Sequence, residues 1–143
     1  HCMLAPTLYS DTDGRYRGGD DSIHTAKAYE HYTVFSLWDT FRALHPLFTI
    51  LNPRRVSEWV RSMLAFQSET GLLPVWTLHA NETNCMIGYH AVPVIADAFL
   101  KGIEGIDGAA ALAAMKSNAL QEKAGLKFYS AMSELDLAPT LAA

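Results

Sequence analysis

The sequence of 143 residues is poor in cysteine and contains no long apolar run. Its two cysteines, Cys2 and Cys85, can form one disulfide bond or none, and their spacing matches no zinc-binding pattern. A run of 18 apolar residues is missing, so the sequence predicts no membrane span. It also lacks a basic patch, and a formal net charge of -4 does not favour a nucleic-acid partner.

Several short functional motifs are missing as well. The sequence has no phosphate-binding loop, no nucleophile elbow and no CxxC pair. Residues 11–18 carry the acidic side chains and glycine of a calcium loop but lack the glutamate that an EF-hand has at its twelfth position. We interpret this segment as a turn held by its own Asp–Arg pairs. The spacing of His79, Glu82 and His90 matches no zinc site, and His90 is expected to be a hydrogen-bonded core residue.

The amino-acid composition is that of a globular protein. Half of the residues are hydrophobic and 18% are charged, so the chain can bury a core. Its length suits one domain or a part of a larger one. The first residue is His1, and no basic and apolar leader follows it, so we expect any secretion signal to lie outside this sequence.

The spacing of apolar residues predicts a chain of helices. Residues 1–31 are rich in glycine and aspartate and are expected to form a loop. Helices are predicted over residues 33–51, 53–68, 85–100, 108–121 and, weakly, 126–135. Asn52 and Pro53 provide a cap and a first-turn proline, Asp107 can cap a later helix, and Pro93 should bend the helix that contains it. No strand with alternating polarity is predicted.

The order of the helices indicates an all-α fold. Helices 33–51 and 85–100 are apolar on most faces, whereas helices 53–68 and 108–121 are amphipathic. An α/α barrel, in which outer helices shield inner ones, produces this alternation. An ordinary helix bundle explains it equally well.

Glu82 is a candidate catalytic acid. It lies before the predicted apolar helix 85–100, and apolar surroundings raise the pKa of a carboxyl group. A glycosidase needs a protonated acid that gives its proton to the departing oxygen. The alternative is a first-turn glutamate that stabilises the start of a helix. Asn81, Glu82 and Thr83 also form an acceptor pattern for N-glycosylation.

Trp38 and Asp39 are candidates for sugar binding. An aromatic ring can pack under the apolar face of a sugar, and a neighbouring carboxylate can bind its hydroxyl groups. Arg42 follows Asp39 by three residues and can hold that carboxylate in place. The alternative is that Trp38 belongs to the core and that Asp39 and Arg42 form an ion pair on the helix surface.

Three runs of sequence together resemble glycoside hydrolase family 92. They are residues 9–18, 32–46 and 81–93, which occur in the order of the family, and the resemblance covers residues 1 to about 129. It implies a catalytic domain that is an (α/α)6 barrel joined to a β-sandwich domain. It also implies a secreted or periplasmic, exo-acting α-mannosidase that inverts the anomeric carbon, depends on calcium and trims N-glycans or mannans.

The resemblance also implies roles for individual residues. It makes Glu82 the general acid. It assigns Trp38, Asp39, Asn81, Asp13, Arg15 and Arg17 to the substrate pocket. It places the base carboxylates and most calcium ligands downstream of this chain, and it assigns no metal ligand within it.

The family pattern is incomplete in this chain. Residues 130–143 depart from it, and neither the β-sandwich nor the later part of the barrel is present. We therefore expect the isolated chain to be inactive. Two other interpretations stay open at this point: a non-catalytic carbohydrate-binding or interaction module, and another α/α-barrel glycosidase or phosphorylase.

Overall fold

The computed structural model describes residues 4–120. The predicted helix 126–135 lies outside these residues, as does Cys2. The elements are, in order, β1 (Thr7–Leu8), β2 (Arg15–Arg17), β3 (Ile23–Thr25), β4 (Tyr32–Thr33), α1 (Leu37–Thr40), α2 (Leu44–Leu51), α3 (Pro53–Thr70), β5 (Thr77–Leu78), β6 (Asn81–Glu82), α4 (Ala91–Leu100) and α5 (Gly108–Leu120).

The six strands form three separate two-stranded antiparallel sheets. β1 pairs with β4, β2 pairs with β3, and β5 pairs with β6. The prediction of no strands was therefore wrong, and so was that of a loop throughout residues 1–31. Each strand has only two or three residues, which is too short to show alternating polarity. The described residues form a helix-rich fold with small sheets rather than an all-α one.

The predicted helix 33–51 is interrupted. Residues 32–33 form a strand, α1 ends at Thr40, and α2 begins at Leu44. Pro46 is the physical reason, because a proline has no backbone N–H to donate, and in a continuous helix its ring would clash with the carbonyl four residues earlier. At the third position of α2 it removes only a donor that a first turn leaves unpaired.

α3 confirms the prediction for residues 53–68. Asn52 Oδ1 accepts a hydrogen bond from the Arg55 N–H at 3.1 Å, and Pro53 is the first residue of the helix. The helix ends at Thr70 and is followed by Gly71, whose φ of 87° is a left-handed conformation suited to glycine. The predicted apolar stripe of α3 is buried in the core at Val56, Trp59, Val60 and Met63.

α4 begins later than predicted. The helix expected over residues 85–100 starts at Ala91, because Gly88 has a φ of 92° and the chain before it is irregular. Pro93 lies in the first turn of α4, so it accompanies the start of the helix instead of bending its middle. α5 agrees with the prediction, and Asp107 Oδ1 caps it by accepting from the N–H of Ala109 at 2.9 Å.

The core lies between α2, α3, α4 and α5. α2 and α4 were predicted to be buried on most faces, yet among the described residues α2 exposes Leu47, Ile50 and Leu51, and α4 exposes Phe99 and Leu100. The alternation of inner and outer helices is therefore not complete within residues 4–120. The full barrel stays a prediction.

Candidate functional site

Glu82 lies on the hairpin formed by β5 and β6. Thr77 pairs with Glu82 and Leu78 pairs with Asn81, which leaves a two-residue loop of His79 and Ala80. His79 adopts a positive φ of 53°, as tight hairpin loops require. The expectation that Glu82 lies directly before an apolar helix was therefore wrong, since α4 begins only at Ala91.

The carboxylate of Glu82 accepts hydrogen bonds from three backbone N–H groups. Oε2 accepts from Val75 at 2.7 Å and from Trp76 at 3.2 Å. Oε1 accepts from Trp76 at 3.0 Å and from Asn84 at 3.3 Å. The side chain thus has a fixed position within the hairpin that carries it.

Burial raises the pKa of Glu82 above its ordinary value. The hydrogen bonds from Val75, Trp76 and Asn84 act in the opposite direction because they stabilise the charged form, but the effect of burial is larger. The pKa of the half-buried Glu82 carboxyl is therefore raised, as the sequence led us to expect, but the burial arises in a hairpin and not at the start of a helix.

The chain after Glu82 is hydrogen-bonded to Trp76, the residue before β5. The Thr83 hydroxyl donates to the Trp76 carbonyl at 2.7 Å, and the Thr83 N–H donates to that oxygen at 3.0 Å. Cys85 is exposed, and its sulfur lies 3.0 Å from the Thr83 hydroxyl. These contacts fix the backbone directly after Glu82.

Residues 35–37 run beside the hairpin and bring Trp38 and Asp39 towards it. Ser36 forms an antiparallel bridge with Trp76, the Leu37 N–H donates to the Val75 carbonyl at 3.1 Å, and the Thr77 N–H donates to the Phe35 carbonyl at 3.2 Å. The Ser36 hydroxyl donates to the Asp39 carboxylate. The segment that holds Glu82 thus also anchors the start of α1.

Arg42 contacts Trp38 and not Asp39. The guanidinium carbon lies 5.5 Å from the centroid of the Trp38 ring and 4.9 Å from that of Phe41, which is cation–π geometry. The predicted support of Asp39 by Arg42 was therefore wrong, because Ser36 occupies that carboxylate. His90 precedes α4 and is half-buried, with its ring 4.9 Å from that of Trp38, so it is not the core residue we expected.

The remaining predicted substrate residues lie on separate elements. Asn81 is exposed on β6, next to Glu82. Asp13 accepts from Arg15 Nε at 2.5 Å, and Asp21 accepts from Arg17 Nε at 2.9 Å. The Asp13–Arg15 pair agrees with the interpretation of residues 11–18 as a turn held by its own Asp–Arg pairs, whereas Arg17 pairs with Asp21, which lies outside that segment. The side chains of Asp13, Arg15 and Arg17 are exposed, and within residues 4–120 none of them contacts Trp38 or Asp39.

A crevice connects the β2–β3 hairpin to the turn of the β5–β6 hairpin. Its walls include Arg17, Gly19, Glu69, His79 and Ala80, but not Glu82. Glu69 was missed by sequence reasoning. It contacts residues 50 and 53 positions away, and no spacing motif reports a contact of that range.

Neither a metal site nor a membrane span is found in the part of the chain that the structure describes. Residues 4–120 contain no group of three or more His, Cys, Asp or Glu side chains placed to hold a metal ion. No helix within the same range is long and apolar enough to cross a membrane.

Solved structures of mannosidases are similar to this chain. Two structures of the family GH92 alpha-mannosidase BT3965 from Bacteroides thetaiotaomicron, one in complex with mannoimidazole, show 44% identity and a TM-score of 0.84. The inverting mannosidase BT2199 from Bacteroides thetaiotaomicron VPI-5482 shows 35% identity and a TM-score of 0.69 over 79% of this chain. No curated protein matches the sequence.

The matches cover most of this chain but only a small part of each mannosidase chain. The BT3965 structures match 86% of this chain but only 16% and 17% of their own chains, and the BT2199 structure matches 16% of its own. The catalytic-domain model of glycosyl hydrolase family 92 matches residues 1–137, further along the chain than the resemblance had predicted. The chain therefore belongs to glycosyl hydrolase family 92.

Proposed function

We propose that this chain is part of the catalytic domain of an inverting, calcium-dependent α-mannosidase, and that Glu82 is its general acid. The observation that carries the proposal is the half-buried Glu82 carboxyl, whose pKa is raised by burial while backbone N–H groups hold it in place. Membership of family 92 and the likeness to an inverting mannosidase support it.

The reaction would be a single displacement. Glu82 gives its proton to the glycosidic oxygen as the bond from that oxygen to the anomeric carbon breaks, and the oxygen keeps the bonding electron pair. A water molecule, activated by a carboxylate base, attacks the anomeric carbon from the opposite face. Inversion requires the two carboxyl groups to be about 6.5–9.5 Å apart, which leaves room for that water. We expect the base to lie outside this chain.

The surroundings of Glu82 suit both stages of proton transfer. Before the transfer, burial favours the protonated acid. After it, the carboxylate is stabilised by the N–H groups of Val75 and Trp76, which already point at its oxygens. Because these donors belong to the backbone just before β5, no rearrangement is needed when the charge appears.

A terminal, α-linked mannose of an N-glycan or mannan is the proposed substrate. The BT3965 enzyme binds mannoimidazole, a mannose-like ligand. In this chain, Trp38 offers an aromatic surface and Asp39 offers carboxylate oxygens beside the Glu82 hairpin. Asn81 adds an exposed amide on the strand of Glu82. Asp13, Arg15 and Arg17 are proposed to line or support the same pocket from the β2–β3 hairpin.

Calcium enters the proposal only for the complete enzyme. When bound, such an ion would neutralise charge and hold vicinal hydroxyl groups of the sugar. Residues 4–120 do not provide a cluster of ligands for it, so its ligands would come from outside them. We likewise propose that the complete protein is secreted or periplasmic and carries the β-sandwich and the later helices of an (α/α)6 barrel.

The test is the substitution Glu82→Gln in the complete enzyme, with Glu104→Gln as a matched control in an exposed loop. If Glu82 is the acid, Glu82→Gln reduces kcat/KM about 10²–10⁴-fold on mannosides with poor leaving groups. It reduces kcat/KM far less on substrates whose leaving group needs no proton. Full activity of Glu82→Gln on natural mannosides would remove Glu82 from this role.

A further inference from the structure

The turn of the β2–β3 hairpin is attached to the end of α3 by Glu69. Glu69 Oε1 accepts a hydrogen bond from the Tyr16 hydroxyl at 2.7 Å, and Oε2 accepts one from the Gly19 N–H at 3.0 Å. Tyr16 is the middle residue of β2, and Gly19 lies in the turn that follows it. One carboxylate therefore holds both a strand side chain and the turn backbone of this hairpin.

Two glycines allow the turn to approach α3 this closely. A Cβ atom on Gly18 would lie 2.9 Å from Glu69 Oε2, and one on Gly19 would lie 2.3 Å from Thr70 Cγ2. Both distances are shorter than a Cβ atom tolerates, so a side chain at either position would require Glu69 or Thr70 to move away from the turn. The Gly18 and Gly19 pair and Glu69 thus form one fitted contact.

The same turn lies beside the hairpin of Glu82, because Gly19 and Ala80 line the same crevice. A Cβ atom on Gly19 would lie 3.2 Å from the carbonyl oxygen of Ala80, two residues before Glu82. That hairpin is held independently by Thr33, whose hydroxyl donates to the His79 carbonyl. The end of α3, the β2–β3 turn and the β5–β6 turn therefore meet at one corner.

Tyr16 is itself rigidly placed. Its ring stacks on the ring of His31 with a centroid distance of 3.7 Å and an interplanar angle of 9°. Burial and the hydrogen bond to Glu69 raise the pKa of Tyr16, so its hydroxyl keeps its proton and remains a donor. Glu69 is thus attached to a fixed part of the hairpin and not to a mobile side chain.

From these contacts we infer that Glu69 is a positioning residue that fixes the β2–β3 hairpin against the hairpin of Glu82. Arg15 and Arg17 are the exposed ends of β2, and they would take their place relative to Glu82 from this contact. Glu69 touches neither substrate nor the reacting atoms in this scheme. The kinetic consequence rests on the proposed function, whereas the structural attachment does not.

The experiment compares three variants of the complete protein. Glu69→Ala removes both hydrogen bonds. Glu69→Gln can keep them, because its amide oxygen accepts from Gly19 while its NH₂ group donates to the Tyr16 oxygen. Ser68→Ala is the control, since Ser68 is exposed on the same helical turn and bonds only within α3, to the Ala65 carbonyl. Hydrogen exchange of residues 15–25 and steady-state kinetics are measured for each.

We expect Glu69→Ala to accelerate amide exchange in residues 15–25 about tenfold or more, while exchange in the core of α3 stays as in the parent protein. Its KM should rise about tenfold with a smaller change in kcat, because the Glu82 hairpin keeps its own attachments. Glu69→Gln should stay within about threefold of the parent in both measurements. Ser68→Ala should match the parent.

Unchanged exchange in residues 15–25 of Glu69→Ala would overturn the inference, whatever the kinetics show. Faster amide exchange without a change in KM would support the attachment of the β2–β3 hairpin by Glu69 but refute its effect on substrate binding. Absence of mannosidase activity in the parent protein would refute the proposed function alone. If Glu69→Ala does not fold, Tyr16→Phe is measured in the same way, because it removes one of the two hydrogen bonds. We expect a smaller acceleration of amide exchange in residues 15–25. Unchanged exchange there would again overturn the inference.

Discussion

The Glu82 carboxylate accepts a hydrogen bond from the backbone N–H of Trp76 at 3.0 Å, and Trp76 in turn forms a bridge with Ser36. The extended segment around Trp76 therefore lies between the proposed acid and the start of α1 and contacts both. Because Ser36 also donates to Asp39, the positions of the acid and of a proposed substrate carboxylate depend on the same backbone. A change in residues 75–77 should affect both.

The activity of the complete enzyme should fall as the pH rises through the pKa of Glu82. Only the protonated form of Glu82 can donate, and burial raises its pKa above the ordinary value, so the active form persists to a higher pH than an exposed glutamate would allow. The measurement is the profile of kcat/KM against pH on a mannoside with a poor leaving group. In Glu82→Gln the alkaline limb should disappear, and an unchanged limb would assign it to another group.

Stability should fall as the pH is lowered through the range in which His45 would become charged. His45 is 1% exposed, and burial lowers its pKa to about 4 from 6.5, so the unfolded chain binds more protons between these values. The stability is complete above about pH 6.5 and decreases by about 3 kcal/mol towards pH 4 for this one group. Thermal unfolding measured at pH 7 and pH 5 tests this.

The variant His45→Leu should remove part of that pH dependence. Neither ring nitrogen of His45 has a hydrogen-bond partner in the described structure, so an apolar side chain loses no hydrogen bond there. His31, whose pKa burial also lowers to about 4, remains and retains a similar share of the dependence. His79→Asn, at an exposed position, serves as the control. Equal pH dependence in the parent and in His45→Leu would contradict the assignment.

The cap of α3 should be measurable on its own. Asn52→Ala removes the acceptor for the Arg55 N–H and should lower the free energy of unfolding by about 1 kcal/mol. Asn52→Asp keeps an acceptor oxygen at that position and should lie close to the parent. Denaturant unfolding of both variants provides the comparison. Equal losses in the two variants would show that the hydrogen bond is not the cause.

The isolated chain of 143 residues should not hydrolyse mannosides, because the base and the calcium ligands are proposed to lie outside it. The measurement is release of mannose by pure material, with and without calcium. Calcium-dependent turnover would refute the argument from incompleteness. Calorimetry with mannose or mannobiose separates the remaining alternatives, since a saturable signal would favour a binding module and its absence an inactive part.

Local features of the sequence predicted the elements whose signals are contained within a few residues. Asn52 and Pro53, followed by a regular apolar stripe, predicted α3 and its start, and Asp107 predicted the start of α5. The two prolines were harder to interpret. Pro46 and Pro93 each lie near the start of a helix, and continuous apolar runs concealed the breaks before them.

The residue types of the proposed site were visible in the sequence, but their environment was not. Glu82 was selected from its neighbours in sequence and from the family resemblance, whereas it meets the N–H groups of Val75 and Trp76 because a hairpin with strands of two residues folds it back beside them. Such strands carry no periodic signal, because their pairing depends on what packs around them. The supposed partner of Asp39 was also wrong, since Arg42 lies over the rings of Trp38 and Phe41 and Ser36 donates to the Asp39 carboxylate.

By itself, the sequence determined the family, the helix with a capped start and the identity of the candidate acid, because each of these depends on residue types in local order. Only the tertiary structure decided that Glu69 meets Gly19 and Tyr16, which lie 50 and 53 residues away along the chain. The physical reason is that hydrogen bonds and close packing act over a few ångströms in space, and separation along the chain does not report that distance.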